Sequence, residues 1–204
     1  MAYGMMISSQ DPDPEQTSID GRHRRAEASR ERIVAAMIEL VKEGHNTPPA
    51  EAVAERAGVG LRTVFRLFKD MDGLYRVMQE IMLKRLAPLA AAPITGETWR
   101  IQLRALIQRR SRLFEEMMPL QVAGDAHRAR SPFLQKEYAQ FVRLQRDIAI
   151  ALLPPEQLAD QTLVEMLDLA MSFDSWRRLR INQRLSADAA EDIMAQLVAR
   201  VVGP

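Results

Sequence analysis

A chain of 204 residues, 47% apolar and 27% charged, has the balance of a globular protein with room for one ample core or two adjoining ones. The absence of cysteine excludes disulfides, thiolate metal sites and cysteine nucleophiles, and no apolar run approaches the roughly 20 residues of a membrane span. The net charge of +1 hides an asymmetry: residues 1–21 carry acids but no Lys or Arg, whereas residues 22–86 carry 13 basic against 9 acidic residues, a distribution compatible with a nucleic-acid partner.

Ala, Leu, Met, Arg, Glu and Gln dominate the chain and aromatic residues make up only 5%, a vocabulary that favours helices. Residues 1–21 are polar, contain Pro12 and Pro14 and show no periodicity, so they read as a disordered tail. That segment lacks the basic-then-apolar plan of a signal peptide, and a cytoplasmic location is the expectation. Helical patterning begins at Arg22. Ile33, Met37, Leu40 and Val41 recur at helical spacing up to a stop at Gly44. Thr47 is placed to cap the next helix, with Pro48 at its first position. Two short helices follow, Ala50 to Arg56 and Leu61 to Phe68. The acids Asp70 and Asp72 introduce a longer one that runs towards Pro88. Beyond the linker at Ala90–Gly96, helices are expected over 97–117, 120–128, 132–152, 156–183 and 187–202, separated at Pro119, Pro132 and Pro154-Pro155. No stretch alternates long enough for a sheet, and the fold expected is all-α.

Two short helices across a tight turn have the geometry of a helix-turn-helix that reads double-stranded DNA. In the turn Ala57-Gly58-Val59, Ala57 lets the helices approach, Gly58 supplies a positive φ and Val59 plugs the space between them. Val64 and Phe68 take the inner face of the second helix. Arg62, Thr63 and Arg66 are left outward with Phe65 at the edge, suited to base edges, phosphate and sugar. Thr47, Gly60, Leu61 and Lys69 complete the expected DNA-facing set, and Arg22, Arg24 and Arg25 form a basic arm before the first helix. The competing reading of these arginines is an ordinary solvated helix face.

Further along, Trp99, Leu103, Ile107, Phe114, Met118, His127, Tyr138 and Phe141 are the candidates for lining a pocket, against the plainer expectation that such stripes are core. Near the C-terminus Leu167, Met171 and Trp176, and then Ala190, Ile193, Met194, Leu197 and Val198, give two adjacent amphipathic stripes. They suit either a dimer interface or the monomer's own core. His23, His45 and His127 stand far apart with no ligand spacing around them. No Gly-rich phosphate loop or Gly-x-Ser-x-Gly elbow is present, so no metal, cofactor or catalytic residue is expected.

Over residues 28–78 the sequence resembles the tetracycline-repressor (TetR) family. The resemblance rests on Arg32-Ile33 to Leu40 and Gly44, then Val53-Ala54-x-x-Ala57-Gly58-Val59, then Thr63-Val64-Phe65-x-x-Phe68, and Asp72-Gly73-Leu74. The family form of the middle is Ala-Gly-Val-Ser-x-x-Thr-Leu-Tyr-x-His-Phe. Here Gly60 replaces the Ser, Phe65 the Tyr and Leu67 the His. Met71 replaces a Lys that meets phosphate, and Pro48 and Pro49 stand where Thr or Ser is frequent. The resemblance implies an N-terminal three-helix helix-turn-helix DNA-binding domain (22–70) and a helical ligand-binding and dimerisation domain (71–204, connecting helix 71–88). It also implies a small-molecule effector, a homodimer through the last two helices, a palindromic operator and action as a ligand-released repressor. The altered contact positions motivate a rival reading, a dimer that binds ligand or protein but whose head no longer reads DNA.

Overall fold

The computed structural model describes residues 14–45 and 47–203, with side chains from Arg24 onward. Every regular element among them is helical: α1 (Pro14–Lys42), α2 (Ala50–Ala57), α3 (Leu61–Phe68), α4 (Met71–Ala90), α5 (Trp99–Arg128), α6 (Pro132–Ile150), α7 (Pro155–Leu158), α8 (Gln161–Ala170), α9 (Phe173–Arg177, continued by a π-turn over Arg178–Asn182) and α10 (Ala187–Val202).

Three boundaries differ from expectation. The first helix begins at Pro14, so the latter part of the expected tail is helical, as a proline in the first helical turn allows. Arg24 and Arg25 therefore lie within α1 rather than on an arm before it. Residues 1–13 lie outside the described part of the chain. Pro119 does not divide α5, although a proline there forfeits one backbone bond. Anchors on both sides hold the helix together: Phe114 is buried in one core before it and Ala123 in another after it. The expected 156–183 helix is three pieces. Asp160 accepts a hydrogen bond from the Leu163 N–H and Ser172 from the Ser175 N–H, and each cap restarts the chain in a new direction.

Two apolar cores organise the helices. The first gathers Ile33, Met37 and Leu40 of α1, Val53 and Ala57 of α2, Val64 and Phe68 of α3 and Leu74, Tyr75 and Met78 of α4. The second gathers Leu103, Leu106, Ile107 and Phe114 of α5 with Leu167, Met171, Trp176, Met194 and Val198. Helix α5 belongs to both, because Ala123 near its C-terminal end is fully buried in the first. Arg110, also on α5, is buried in the second region. Its guanidinium donates to the carbonyls of Met171 (2.9 Å) and Gln145, tying α5 to the α8–α9 junction and to α6. Burial lowers its pKa to about 10, so it remains a cation at neutral pH, held by carbonyl dipoles and by the charge of Asp168.

Besides the packing of α1 and α4 on α5, the first three helices join α4 through one tight turn. Lys69 has φ 65° and ψ −54°, and the Asp70 N–H bonds the Phe68 carbonyl at 2.8 Å, which closes a positive-φ γ-turn. Asp70 then caps α4 by accepting from the Gly73 N–H at 2.8 Å. The same Phe68 carbonyl lies against Gly73 so closely that a β-carbon there would overlap its oxygen.

Gly73→Ala is accordingly expected to destabilise the protein by at least about 2 kcal/mol, because a backbone carbonyl cannot rotate aside as a side chain does. Gly60→Ser is expected to change stability by less than about 0.5 kcal/mol, since its β-carbon enters open space at an extended φ of −70°. Thermal unfolding of the two variants against the parent chain checks both. Similar losses from both would show that the joint relaxes around an added methyl.

Candidate nucleic-acid interface and the groove behind it

Helix α3 is held from three directions, and what it leaves outward is basic. At its start, α2 ends in a Schellman arrangement. Gly58 has φ 63° and ψ 41°, its N–H bonds the Glu55 carbonyl, and the Val59 N–H bonds the Ala54 carbonyl, each at 3.0 Å. Val64 and Phe68 are buried beneath it. At its end, Arg30 of α1 donates to the Leu67 carbonyl (3.4 Å) and lies 5.0 Å over the Phe68 ring.

The outward set is Gly60, Leu61, Arg62, Phe65 and Arg66, all exposed, with Thr63 half-buried and Lys69 exposed on the γ-turn. Phe65 leaves 43% of its surface in water. The side chains of Arg62, Arg66 and Lys69 have no hydrogen-bond or ion-pair partner among the described residues. By contrast, Arg56 on α2 is engaged by both oxygens of Glu43 at 2.8 Å and by Glu39 at 3.6 Å, and these bonds hold the Glu43 carboxyl below the usual carboxylate range. The chain thus neutralises the arginine beside the outward face and leaves the cations on it free.

Thr47 is exposed but does not cap α2. The cap residue is Pro49, preset at φ −67° and carrying no side-chain acceptor, so among the described residues the first-turn N–H groups of α2 have no side-chain cap.

Behind the joint, the first turns of α4 dock on α5 and the start of α6. Asp72 accepts from His127 Nε2 at 2.7 Å and from Ser131 Oγ at 2.9 Å. The Tyr75 ring stacks on His127 at 5.2 Å, and its hydroxyl donates to the Ala123 carbonyl at 3.2 Å. Burial pushes the Tyr75 hydroxyl up to about 12, so it stays a neutral donor. Arg76 lies 3.9 Å over the Phe133 ring, and Gln79 Nε2 donates to Glu137 Oε2 at 2.8 Å, two further ties from α4 to α6.

A groove of about 320 Å³ opens between these ties. Its floor is α5, with Met117, Leu120, Gln121 and Gly124. Its walls are α4, with Tyr75, Gln79, Met82 and Leu83, and α6, with Leu134, Glu137, Tyr138 and Phe141. Of the residues expected to line a pocket, Tyr138 and Phe141 do so. Leu103, Ile107 and Phe114 are buried in the second core, and Trp99 and Met118 pack against it. His127 faces Asp72 instead. The ends of α5 and α10 enclose a smaller pocket of about 150 Å³ that Leu103 and Ile107 also border. Sequence patterning missed Arg30, Gln79 and Glu137; nothing in the spacing of three solvated-looking polar residues marks them as cross-helix contacts.

The two C-terminal stripes are largely spent inside the monomer: Leu167, Met171, Trp176, Ala190, Met194 and Val198 are all buried. What remains outward is Met166 and Leu169 on α8, the latter 68% exposed, and Leu197 on α10, the helix that packs on α8.

No protein-family model and no curated protein sequence matches the chain. Among solved structures it is similar to a transcriptional regulator from Rhodococcus sp. Rha1, at 17% identity and a TM-score of 0.63, over 85% of this chain and 95% of that one. That likeness establishes a shared all-α fold. No helix among the described residues is long and apolar enough to cross a membrane, and no three of their His, Asp or Glu side chains gather as a metal site.

Asp72→Ala is expected to cost about 1–3 kcal/mol, because it strands the His127 ring and the Ser131 hydroxyl in a half-buried joint. Urea unfolding measures it, and a loss below a few tenths of that would mean solvent replaces the carboxylate freely.

Proposed function

We propose that the protein is a homodimeric, sequence-specific DNA-binding transcriptional regulator of the TetR type, cytoplasmic, and released from a palindromic operator by a small molecule held in the α4–α5–α6 groove. The observation that carries the reading is the outward face of α3, with Arg62, Arg66 and Lys69 unpaired around an exposed Phe65 and Leu61. Cations held without an intramolecular partner on a short, rigidly seated helix are what a phosphate and base-edge contact requires. The first turn of α2, without a side-chain cap among the described residues, adds N–H groups that favour an anion. The neighbour from Rhodococcus, itself described as a transcriptional regulator, supports the same class.

In this reading residues 22–70 are the DNA-binding unit and 71–204 the ligand-binding and dimerisation unit, with α4 connecting them. The Lys, Tyr and His phosphate contacts of the family form are absent at Met71, Phe65 and Leu67, and Lys69 with the two arginines supplies the charge. Met166, Leu169 and Leu197 form the apolar part of the dimer contact. Two copies of α3 about one helical turn apart, ~34 Å, then demand half-sites at that spacing. A ligand releases the operator only to the extent that it favours the form with the wrong spacing.

Arg62→Ala with Arg66→Ala is expected to abolish sequence-specific binding in a mobility-shift titration, each change costing about 1–3 kcal/mol, while the dimer stays intact. Leu169→Glu with Leu197→Glu is expected to shift sedimentation towards the monomer with the melting profile retained. Undiminished specific binding by the arginine variant would remove α3 from the reading surface, and an unshifted profile would place the interface elsewhere.

A further inference from the structure

The groove has a charge balance that its apolar lining conceals. Of its ionisable residues, Arg128 is an ion-pair partner of Asp125, and its guanidinium lies 3.6 Å over the Tyr138 ring. Asp125 also pairs with Arg177, which meets Asp174 at 3.1 Å, and Asp174 accepts from the Tyr138 hydroxyl at 2.5 Å. Two cations and two carboxylates therefore cancel at that end. The tyrosine hydroxyls are neutral, with burial raising both and Asp174 raising Tyr138 further. Glu137 is different. Its one partner is the neutral amide of Gln79 on Oε2, and Oε1 has none among the described residues. Arg76, the nearest cation along α4 from Gln79, is turned onto the Phe133 ring instead. The groove thus keeps one carboxylate with no ion-pair partner among the described residues, sharing its lining with Tyr75, Tyr138, Phe141, Met82 and Met117.

We infer that the groove selects a lipophilic cation, whose apolar body lies along Met82, Leu83, Met117 and Leu134 and whose positive group meets Glu137 and the neighbouring aromatic faces. A carboxylate at an apolar wall favours a positive ligand because little competing water is left around the pair, and aromatic faces add a cation–π term that the Arg128–Tyr138 contact already exhibits. A volume of about 320 Å³ suits a small molecule rather than a peptide segment, and Leu83 and Leu144, 57% and 59% exposed, give the mouth an apolar rim. The inference rests on the groove being the effector site, and it names the effector's chemistry. The Gln79–Glu137 bond also joins α4 to α6, so a cation drawn to Glu137 competes for a tie that fixes the helix carrying the DNA-binding head.

Gly124 supplies the control. It lies in the floor, and a β-carbon there meets nothing within 4 Å, so the side chain of Gly124→Met starts into open space and is expected to fill the groove from below. Calorimetric titration of the full chain, without DNA, uses three eight-carbon probes below their micelle concentrations: octyltrimethylammonium, octanol and octanoate. The cation is expected to bind about tenfold or more tighter than octanoate. Glu137→Gln is expected to weaken the cation by about tenfold while leaving octanol unchanged, and Gly124→Met to abolish both. Octanoate binding as tightly as the cation, a Glu137→Gln effect equal on all three probes, or binding insensitive to Gly124→Met overturns the inference, as does failure of the cation to bind. Operator affinity without probe is measured separately: its absence sinks the regulator reading and leaves the groove's charge selectivity standing or falling by calorimetry.

Discussion

The close approach of the Phe68 carbonyl to Gly73 sets how the first three helices join α4. It closes the γ-turn at Lys69, places the Asp70 cap, and fixes the angle at which α3 leaves α4. A two-residue link at this separation transmits displacement rather than absorbing it, because the positive φ at Lys69 and the missing β-carbon at Gly73 leave few alternative conformations. The head core then follows. Val64 and Phe68 insert between α1 and α4, Arg30 closes the far end of α3, and the exposed arginines are held at a fixed attitude to the rest of the chain.

From that joint α4 runs along the wall of the groove. Tyr75 belongs at once to the head core, to the stack on His127 and to the groove lining. Asp72 is three residues earlier on the same helix and is gripped by His127 and Ser131. In the proposed regulator, a ligand in the groove would therefore touch Tyr75, about one turn from the α3–α4 joint. Such a linkage would be thermodynamic: a ligand could move α3 only by binding one position of α4 more tightly than another. The Gln79–Glu137 contact in the groove wall and the Arg76–Phe133 contact also join α4 to α6, and in the proposed regulator such an inequality would arise there.

Much of the head was legible in the sequence because its constraints are local. A glycine inside an apolar helical run signals a positive φ, and Gly58 has one; the spacing of Val64 and Phe68 fixes which face of α3 is inward. Asp70 and Asp72 were readable as a helix start, but not that Asp72 reaches across to α5 and Ser131, which depends on tertiary docking. The groove was only partly legible. Phe114 and Phe141 lie in equivalent helical patterns, and one is core while the other lines the groove, because the divergence of α4 and α6 over α5 decides it. The C-terminal stripes were ambiguous for the same reason, since amphipathicity does not say whether the covering surface belongs to the same chain. Trp176 went inward with its indole N–H bonded to Glu115 at 2.8 Å, while Leu169 stayed out.

In the proposed regulator, two α3 faces read DNA one helical turn apart. Selection of bound sequences from a random duplex library, followed by titration of the enriched sequence at two salt concentrations, tests it most directly. The account predicts a near-palindrome with half-site centres about 10 base pairs apart, and an affinity that falls steeply as salt rises. No enrichment at low salt, from protein shown to be folded and dimeric, would contradict it.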